Sequence, residues 1–594
     1  MKLNHSPKIY NNYKCDYPEN TIKRIEEGFK KIGLELTYHE KIVSSQDASI
    51  YSGYALIDII GSTQNGKGIS SILSKASAYA EIAERFSTGF LPFRIPLPEK
   101  SSRYRKLLND VNEKSFLRGF INDGKHKLTT YQNINKYFHI KISKEEYETF
   151  KQEHLFDSLV DAYSLIHDKY IKVPIHFIEI KSTSNGLSSG NTYEEGIAQA
   201  SFEIFERYSV NKIVLEKIIC PTISLKTIKN EKIQDYLKMF ESLNIEVKIK
   251  DFTLKNTVPV IGALFINHNI ENDKNKLKKD RYYKRINVGS HCNLNEAIIR
   301  CFTEYLQNIN TEELVYRKQS DILYYVWTKT LGKKYDSIDE EFKYFTRQYD
   351  YYGDLSFLEK GKEVSFDELK CSINNDCLDD IKTVIKICKE NNWDLLFIDY
   401  THKILQFPTV RIIIPPISTD YDIFTRKCLK IKTFEERFNY FYGIKDFYKY
   451  INNNSWLKDK NRITNLIENI ENFLSKELAF HQFYLTRENN FHQLVNLFHV
   501  LPFLHLAIGK NIVAKKYFEV LLQLGFHPPI ESQFLGFLYQ TKYNPSIYKE
   551  YIDKINKSLI DFELTSNPFD LEKYSDNMEN MYYSLLDKIN KSFT

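Results

Sequence analysis

The sequence predicts a mixed protein, α/β or α+β, followed by a helical C-terminal domain. Three observations predict it. Short β-like runs alternate with helical stretches between residues 50 and 430, the β-like runs stop after about 430, and two segments of the first part superimpose without gaps. We place a boundary near 425, giving domains 1–425 and 426–594.

The strand candidates are ALIDIIG (55–61), KVPIHFIEI (172–180), TVPVIGALFI (257–266) and RIIIPPI (411–417), short apolar runs rich in β-branched residues. The charged stretch ENDKNKLKKDRYYKR (271–285) lies between two of them and reads as a solvated loop, as does polar INNN at 451–454. Further on, FHQLVNLFHVLPFLHLAIGKNIVAKKYFEVLLQLGF (491–526) is helix-patterned. Its greasiest part, Leu494 to Gly509, is interrupted by Asn496, His499, Pro502 and His505 and predicts a buried helix rather than a membrane span.

Charge and cysteine usage narrow the function classes. The chain carries 82 Lys plus Arg against 77 Asp plus Glu, a net +5, too near neutrality for a protein whose affinity comes mainly from neutralising phosphates. A generic nucleic-acid or membrane-surface binder is therefore not the first reading. The N-terminal MKLNHSPKIYNNYKCDY has no apolar core of a secretory signal, and the eight Cys include no CxxC pair, so a cytoplasmic protein is expected.

Glycine is scarce, 21 in 594 residues, about half the usual share of roughly 7%, so its clusters are informative. The two superimposable segments are GKGISSILSKASAYAEIAERFS (66–87) and SGNTYEEGIAQASFEIFERYS (189–209). Gly68 aligns with Gly190, Ala76 with Ala198, Ala78 with Ala200, Glu81 with Glu203, Glu84 with Glu206 and Arg85 with Arg207. Each segment reads as a Gly-containing loop running into a helix that ends in ExxER. Gly61, Gly66, Gly68, Gly186 and Gly190 are expected to free the loop backbone and to let a ligand approach closely.

Residues three apart share a helix face, so Glu81 with Glu84, and Glu203 with Glu206, each present two carboxylates to one side. One ExxER is an ordinary surface ion pair; its duplication points to a divalent metal, Mg²⁺ above all, which lets an acidic surface hold a nucleotide's phosphates. A third segment, NVGSHCNLNEAIIRCFTEYLQ (287–307), brings Arg300, Glu304 and Gln307, and the arginine fork suits phosphate oxygens. Thr192 with Glu195 also fits a capping box, and the two readings of Glu195 are compatible. The text Gln64-Asn65-Gly66-Lys67-Gly68 is not a Walker A loop, because the G-x-x-x-x-G-K-[ST] spacing is absent. Cys292 beside His291 has no recognisable acid partner and is not assigned as a nucleophile.

These three segments resemble the ATP-binding elements of the YcaO family. GKG followed by ExxER, SNGL-S-x-GNT-x-x-E followed by ExxER, and G-x-H followed by R-x-x-x-E-x-x-Q occur in the family's order. DYTHKILQFPTVRIIIPPI (399–417) resembles the family's late strand region, and the C-terminal part resembles the tetratricopeptide-like extension of its long, stand-alone bacterial type. The resemblance implies an α+β fold, a core of related α/β halves followed by an all-α C-terminal domain. The resemblance implies that Glu81, Glu84, Asn191, Glu195, Glu203 and Glu206 hold Mg²⁺ and ATP, with Arg207, Arg300 and Glu304 also at the nucleotide and Glu304 also at metal. The family's N-terminal Lys and hydroxyl residue correspond by position to Lys14 and Thr21, although Thr21 equally suits a helix N-cap.

The implied chemistry is ATP-dependent activation of a backbone amide in a protein or peptide. A nucleophile adds to the carbonyl, the oxyanion is phosphorylated, and loss of phosphate leaves an azoline, a thioamide or an amidine. Azoline-forming members typically end in a Pro-rich tail; this sequence ends DKINKSFT with no Pro after Pro568, which disfavours that product. The stand-alone type is linked to methylthiolation of a small-subunit ribosomal protein as accessory to a radical-SAM methylthiotransferase. No CxxxCxxC cluster motif occurs here, so the chain is not itself that radical enzyme. The expectation is an Mg-ATP-dependent enzyme with a protein or peptide substrate, without nucleic acid or membrane, and a homodimer. A non-catalytic ATP-binding adaptor and a thioamide-forming enzyme are the alternatives.

Overall fold

A computed structural model describes residues 2–88, 159–316, 355–418, 457–523 and 545–564, except 12, 58–61, 176–177, 179–183, 256, 273–281, 308, 370–372, 478–481, 487–491 and 559–561, together with a few positions in 132–148 and Ser592. Gly61, the boundary near 425 and the INNN stretch lie outside the described residues.

The first unit is helix α1 (Pro18–Ile32), strands β1 (Leu36–Ser44), β2 (Ser49–Ile57) and β3 (Ser62–Gly68), and helix α2 (Ser71–Ser87). Pro18 opens α1 where no amide partner is needed, and Gly33, in the left-handed conformation at φ 81°, ends it. Ile22, Ile25, Phe29 and Ile32 recur at helical spacing and bury that face against α2.

Strands β4 (Leu159–Ser164), β5 (Lys169–Pro174) and β6 (Leu187–Ser189) precede the long helix α3 (Tyr193–Glu216). Then come β7 (Thr222–Ile223), α4 (Glu231–Ser242), β8 (Ile245–Asp251), β9 (Val260–Asn267), β10 (Lys284–Ser290), α5 (Leu294–Tyr305), α6 (Thr311–Tyr316), β11 (Glu363–Val364), α7 (Cys377–Glu390), β12 (Leu396–Asp399) and β13 (Thr409–Ile413). They form two five-stranded sheets, ordered β10-β9-β8-β7-β11 and β5-β4-β12-β13-β6, beside the antiparallel sheet β1-β2-β3.

Helix α3 is packed against β6 and β13 of one sheet and against β9 and β10 of the other. Burial on two sides explains why Ile197, Ala198, Ala200, Phe202, Ile204 and Phe205 are apolar around most of its girth rather than along one stripe.

Three strands, β3, β6 and β10, each lie at the edge of their sheet and each feed one of the helices α2, α3 and α5. At these junctions glycine lets the helix sit directly on strand backbone. A Cβ on Gly66 would stand 2.2 Å from the Ser74 carbonyl oxygen, one on Gly68 2.7 Å from the Ser74 amide, one on Gly190 2.7 Å from the Gly196 amide, and one on Gly289 2.2 Å from the Ala297 carbonyl oxygen. Gly68 with Ser74 and Gly190 with Gly196 are equivalent pairs of the internal repeat. Of the described loop glycines read as conformationally free, only Gly186 has a positive φ, 82°. At Gly66, Gly68 and Gly190 the space a side chain would need is taken by the following helix, a close packing that the sequence reading did not foresee.

Two other expectations change. The charged stretch 271–285 is not loop to its end, since Lys284 and Arg285 begin β10; charged residues on an edge strand are ordinary. The C-terminal part is not all helical among the described residues. Between helices α8 (Lys460–Glu477) and α9 (Leu497–Ala507) stands an antiparallel hairpin of β14 (Gln482–Thr486) and β15 (His492–Asn496), and helices α10 (Asn511–Gln523) and α11 (Pro545–Lys557) follow. Leu494 therefore belongs to a strand and the buried helix begins at Leu497, because a short apolar run fits either state until its partner is known.

Gly66→Ala is expected to lose about 1–3 kcal/mol of stability, since its Cβ meets fixed backbone rather than a movable side chain. Chemical denaturation against the parent chain checks this; an unchanged midpoint would refute the close-packing explanation.

Candidate functional site

The three strand–helix junctions and the N-terminal segment enclose a cavity of about 690 Å³. The residues that the resemblance assigns to nucleotide and metal all line it, with Gln307: Lys14, Thr21, Glu81, Glu84, Asn191, Glu195, Glu203, Glu206, Arg207, Arg300 and Glu304. These positions span nearly 300 residues of chain.

One wall is built by the N-terminus. Lys14 Nζ lies 3.0 Å from Glu195 Oε1 and donates to Gln199 Oε1 at 3.2 Å, while the Cys15 amide donates to Glu195 Oε2 at 3.0 Å. Asn191 Nδ2 also donates to Glu195 Oε2, at 3.1 Å, and Thr21 Oγ1 and Arg24 Nη2 donate to Asn191 Oδ1 at 2.8 and 2.9 Å. Thr21 is not an N-cap: Tyr17 holds that position and Thr21 lies inside the first turn of α1. Thr192 does cap α3, accepting from the Glu195 amide at 3.1 Å. The Glu195 carboxylate is meanwhile taken up by Lys14, Cys15 and Asn191. Burial alone would raise its pKa, but the Lys14 ammonium and these donors outweigh burial and hold it low.

The opposite wall carries the paired carboxylates of α2 and α3. Arg85 Nη1 lies 2.5 Å from Glu84 Oε1 and its Nη2 3.3 Å from Glu81 Oε1; Arg207 Nη2 lies 3.6 Å from Glu203 Oε1. Glu206 Oε2 accepts from the Ser290 amide at 3.1 Å, tying α3 to the end of β10. Burial, with Glu81 and Glu203 nearby, pushes the Glu84 carboxyl up to about 7 in spite of Arg85 and Arg411. Glu203 is raised as well, by burial and then by Glu206.

Helix α5 closes the cavity. Glu304 pairs with Lys67 of β3, and burial, followed by the Arg300 charge, brings the Lys67 ammonium down to about 8. Arg300 makes no ion pair among the described residues although it lines the cavity. Sequence reading missed Lys67, Arg24 and Arg411 as site residues. Lys67 was legible as the Lys of GKG, and Arg411, whose side chain is fully buried on β13, as the single charge in an apolar strand run. Arg24 gave no signal beyond helical spacing from Thr21.

The donor set is all oxygen, as Mg²⁺ prefers. Among the described residues no three His, Cys, Asp or Glu side chains are already gathered closely enough to hold an ion, because arginines occupy the carboxylates. Glu84 and Glu203, crowded and reluctant to ionise, fit a cation arriving with its own anionic ligand.

A cavity of crowded carboxylates and an arginine without an ion pair among the described residues, walled by duplicated strand–helix units, defines a protein built to take a polyanion together with a metal ion. The chain belongs to the YcaO family: residues 65–418 match the model of the YcaO cyclodehydratases, described as ATP- and Mg²⁺-binding. An uncharacterized protein from Haemophilus influenzae is 26% identical over 261 residues, 42% of this chain and 41% of that one. The ribosomal protein S12 methylthiotransferase accessory factor YcaO of Escherichia coli is 26% identical over 145 residues, 24% of this chain and 23% of that one. The chain thus spans about two-fifths, or 41%, of the first relative's length. A solved YcaO from Methanopyrus kandleri bound with AMPPCP and Mg²⁺ has TM-score 0.43 and 14% identity, covering 69% of this chain and 93% of that one. A heterocyclase in complex with substrate and cofactor has TM-score 0.43 and 16% identity, covering 72% and 56%. No helix of the described residues is long and apolar enough to cross a membrane.

The raised Glu84 pKa has a stability consequence. With the folded value above the ordinary 4.5, the neutral carboxyl's contribution is intact below that pH and is lost as pH climbs through about 7. Nucleotide-free Glu84→Gln should therefore melt a few degrees above the parent at about pH 8 and show no gain at about pH 4. A pH series of thermal unfolding checks this, and a pH-independent difference would contradict the crowding account.

Proposed function

We propose that the chain binds Mg-ATP in this cavity and uses it to phosphorylate a backbone amide oxygen of a peptide or protein substrate. The observation that carries the reading is the convergence of residues 14 to 307 on one cavity, with Arg300 left without an ion-pair partner among the described residues. Family membership supports the ligands.

In this reading Glu81, Glu84, Glu203 and Glu206 supply oxygen ligands for Mg²⁺, with Glu195 and Glu304 at the margins of the set. Arg300 and Arg207 take phosphate oxygens, and Lys14 and Lys67 add charge where the carboxylates would otherwise repel a polyphosphate. Lys14 is positioned for this by Glu195 and Gln199. When bound, Mg-ATP supplies the phosphoryl group that turns the amide oxygen, a very poor leaving group, into phosphate, a good one. The chain's own groups position and neutralise rather than react.

The match with the Escherichia coli accessory factor supports a place in ribosomal-protein methylthiolation, beside a radical-SAM methylthiotransferase, for this activity. The C-terminal part, which we place after about residue 425, would then dock the ribosomal protein or the partner enzyme, with the chain working as a homodimer. An adaptor that holds ATP without turnover would bind nucleotide tightly and release no phosphate.

Arg300→Ala is expected to weaken Mg-ATP binding by about tenfold or more, equal to about 1.4 kcal/mol, and Glu206→Ala to slow Mg²⁺-dependent phosphate release by at least about tenfold. Calorimetric titration and a phosphate-release assay with candidate substrates, followed by intact mass, read both. Unchanged binding in the first variant and unchanged turnover in the second would overturn the assignment.

A further inference from the structure

Two thiols that are 362 positions apart meet at the cavity's N-terminal wall: Cys15 Sγ and Cys377 Sγ are 3.4 Å apart. The contact is built rather than incidental. Pro7 pairs with Asp376 in an antiparallel bridge, the Cys377 amide donates to the Ser6 carbonyl at 3.0 Å, and the Ser6 hydroxyl lies 3.2 Å from Cys15 Sγ. Ser6 thus holds a cysteine on each side of it. Cys15 is half-buried and reachable, while Cys377 is buried behind it at the start of α7. The cysteines at 220, 292, 301 and 388 are buried.

We propose that Cys15 and Cys377 form a reversible disulfide under a peroxide oxidant, making the N-terminal wall an oxidative modification site. The Cys15 thiolate attacks the peroxide, giving a sulfenic acid and water. Cys377 Sγ then attacks the sulfenic sulfur, its S–H proton leaving with the sulfenic hydroxyl as a second water, so that two thiols and one peroxide give one disulfide and two waters. A dithiol reductant reverses the change. The sulfurs must close by roughly 1.4 Å to reach a bond of about 2.05 Å. That movement falls just beyond the bridge of Tyr10 to Lys14, beside Asn11, which is left-handed at φ 48°.

Closure would draw the Cys15 amide away from Glu195 Oε2 and shift Lys14 beside it. The disulfide stands on the sulfur geometry alone; its effect on ligand binding rests on the nucleotide reading above. Oxidation is accordingly expected to weaken Mg-ATP binding by about fivefold or more, about 1 kcal/mol.

The test treats the full-length, folded protein with hydrogen peroxide, blocks remaining thiols with iodoacetamide and maps peptides by mass. The expected result is one cross-link, between the peptides holding Cys15 and Cys377, that disappears with dithiothreitol. In parallel, Mg-ATP affinity of the parent should fall on oxidation and recover on reduction, while in Cys15→Ser and in Cys377→Ser the oxidised-to-reduced affinity ratio should be unity. Absence of the cross-link, with Cys15 and Cys377 recovered as alkylated thiols or over-oxidised singly, overturns the proposal. A cross-link that leaves affinity unchanged overturns the coupling to Lys14. If the cross-link forms but neither redox form binds Mg-ATP, the nucleotide reading fails while the modification site stands.

Discussion

Like charge confined to a small volume is the constraint on which this structure turns. Glu84 is buried and Glu203 half-buried, with further carboxylates close by, and the fold tolerates them only because Arg85, Arg207 and the buried Arg411 supply opposite charge. Those arginines do not remove the strain entirely, since both carboxyls remain reluctant to ionise. Such a site is poised: a cation and a polyanion entering together would satisfy acidic and basic walls at once, whereas either alone meets like charge somewhere.

The architecture that confines these charges is economical. Three sheets each end in an edge strand, β3, β6 and β10, and each edge strand delivers a helix whose polar face looks into the same space. Glycines 66, 68, 190 and 289 bring the helices close enough to their strands for this convergence. Helix α3 is the hinge of the plan in a purely geometric sense. It is packed between both large sheets, so its glutamates are fixed relative to residues from either one.

Much of the site was legible because its chemistry is written locally. Glu81 and Glu84, or Glu203 and Glu206, share a helix face by spacing alone, and repetition of the same residues in order separates them from chance ion pairs. What was not legible depends on long-range placement. The glycines declare closeness but not whether helix or ligand fills the gap. Lys284 and Arg285 look like loop until β10 proves to be an edge strand, and the meeting of Cys15 with Cys377 requires the register of Pro7 against Asp376. The hairpin of β14 and β15 was missed for the related reason that short apolar runs are read correctly only with their partners in view.

The wall that Lys14, Thr21 and Arg24 contribute lies upstream of residue 65, where the recognisable family segment begins. Excising that segment for expression would discard α1 and expose Ile82 and Phe86 of α2, which α1 covers. It would also leave Glu195 without its ammonium partner. Boundaries drawn by family likeness would cut through this binding pocket, so any trimmed version should begin ahead of Ser6, whose carbonyl anchors α7.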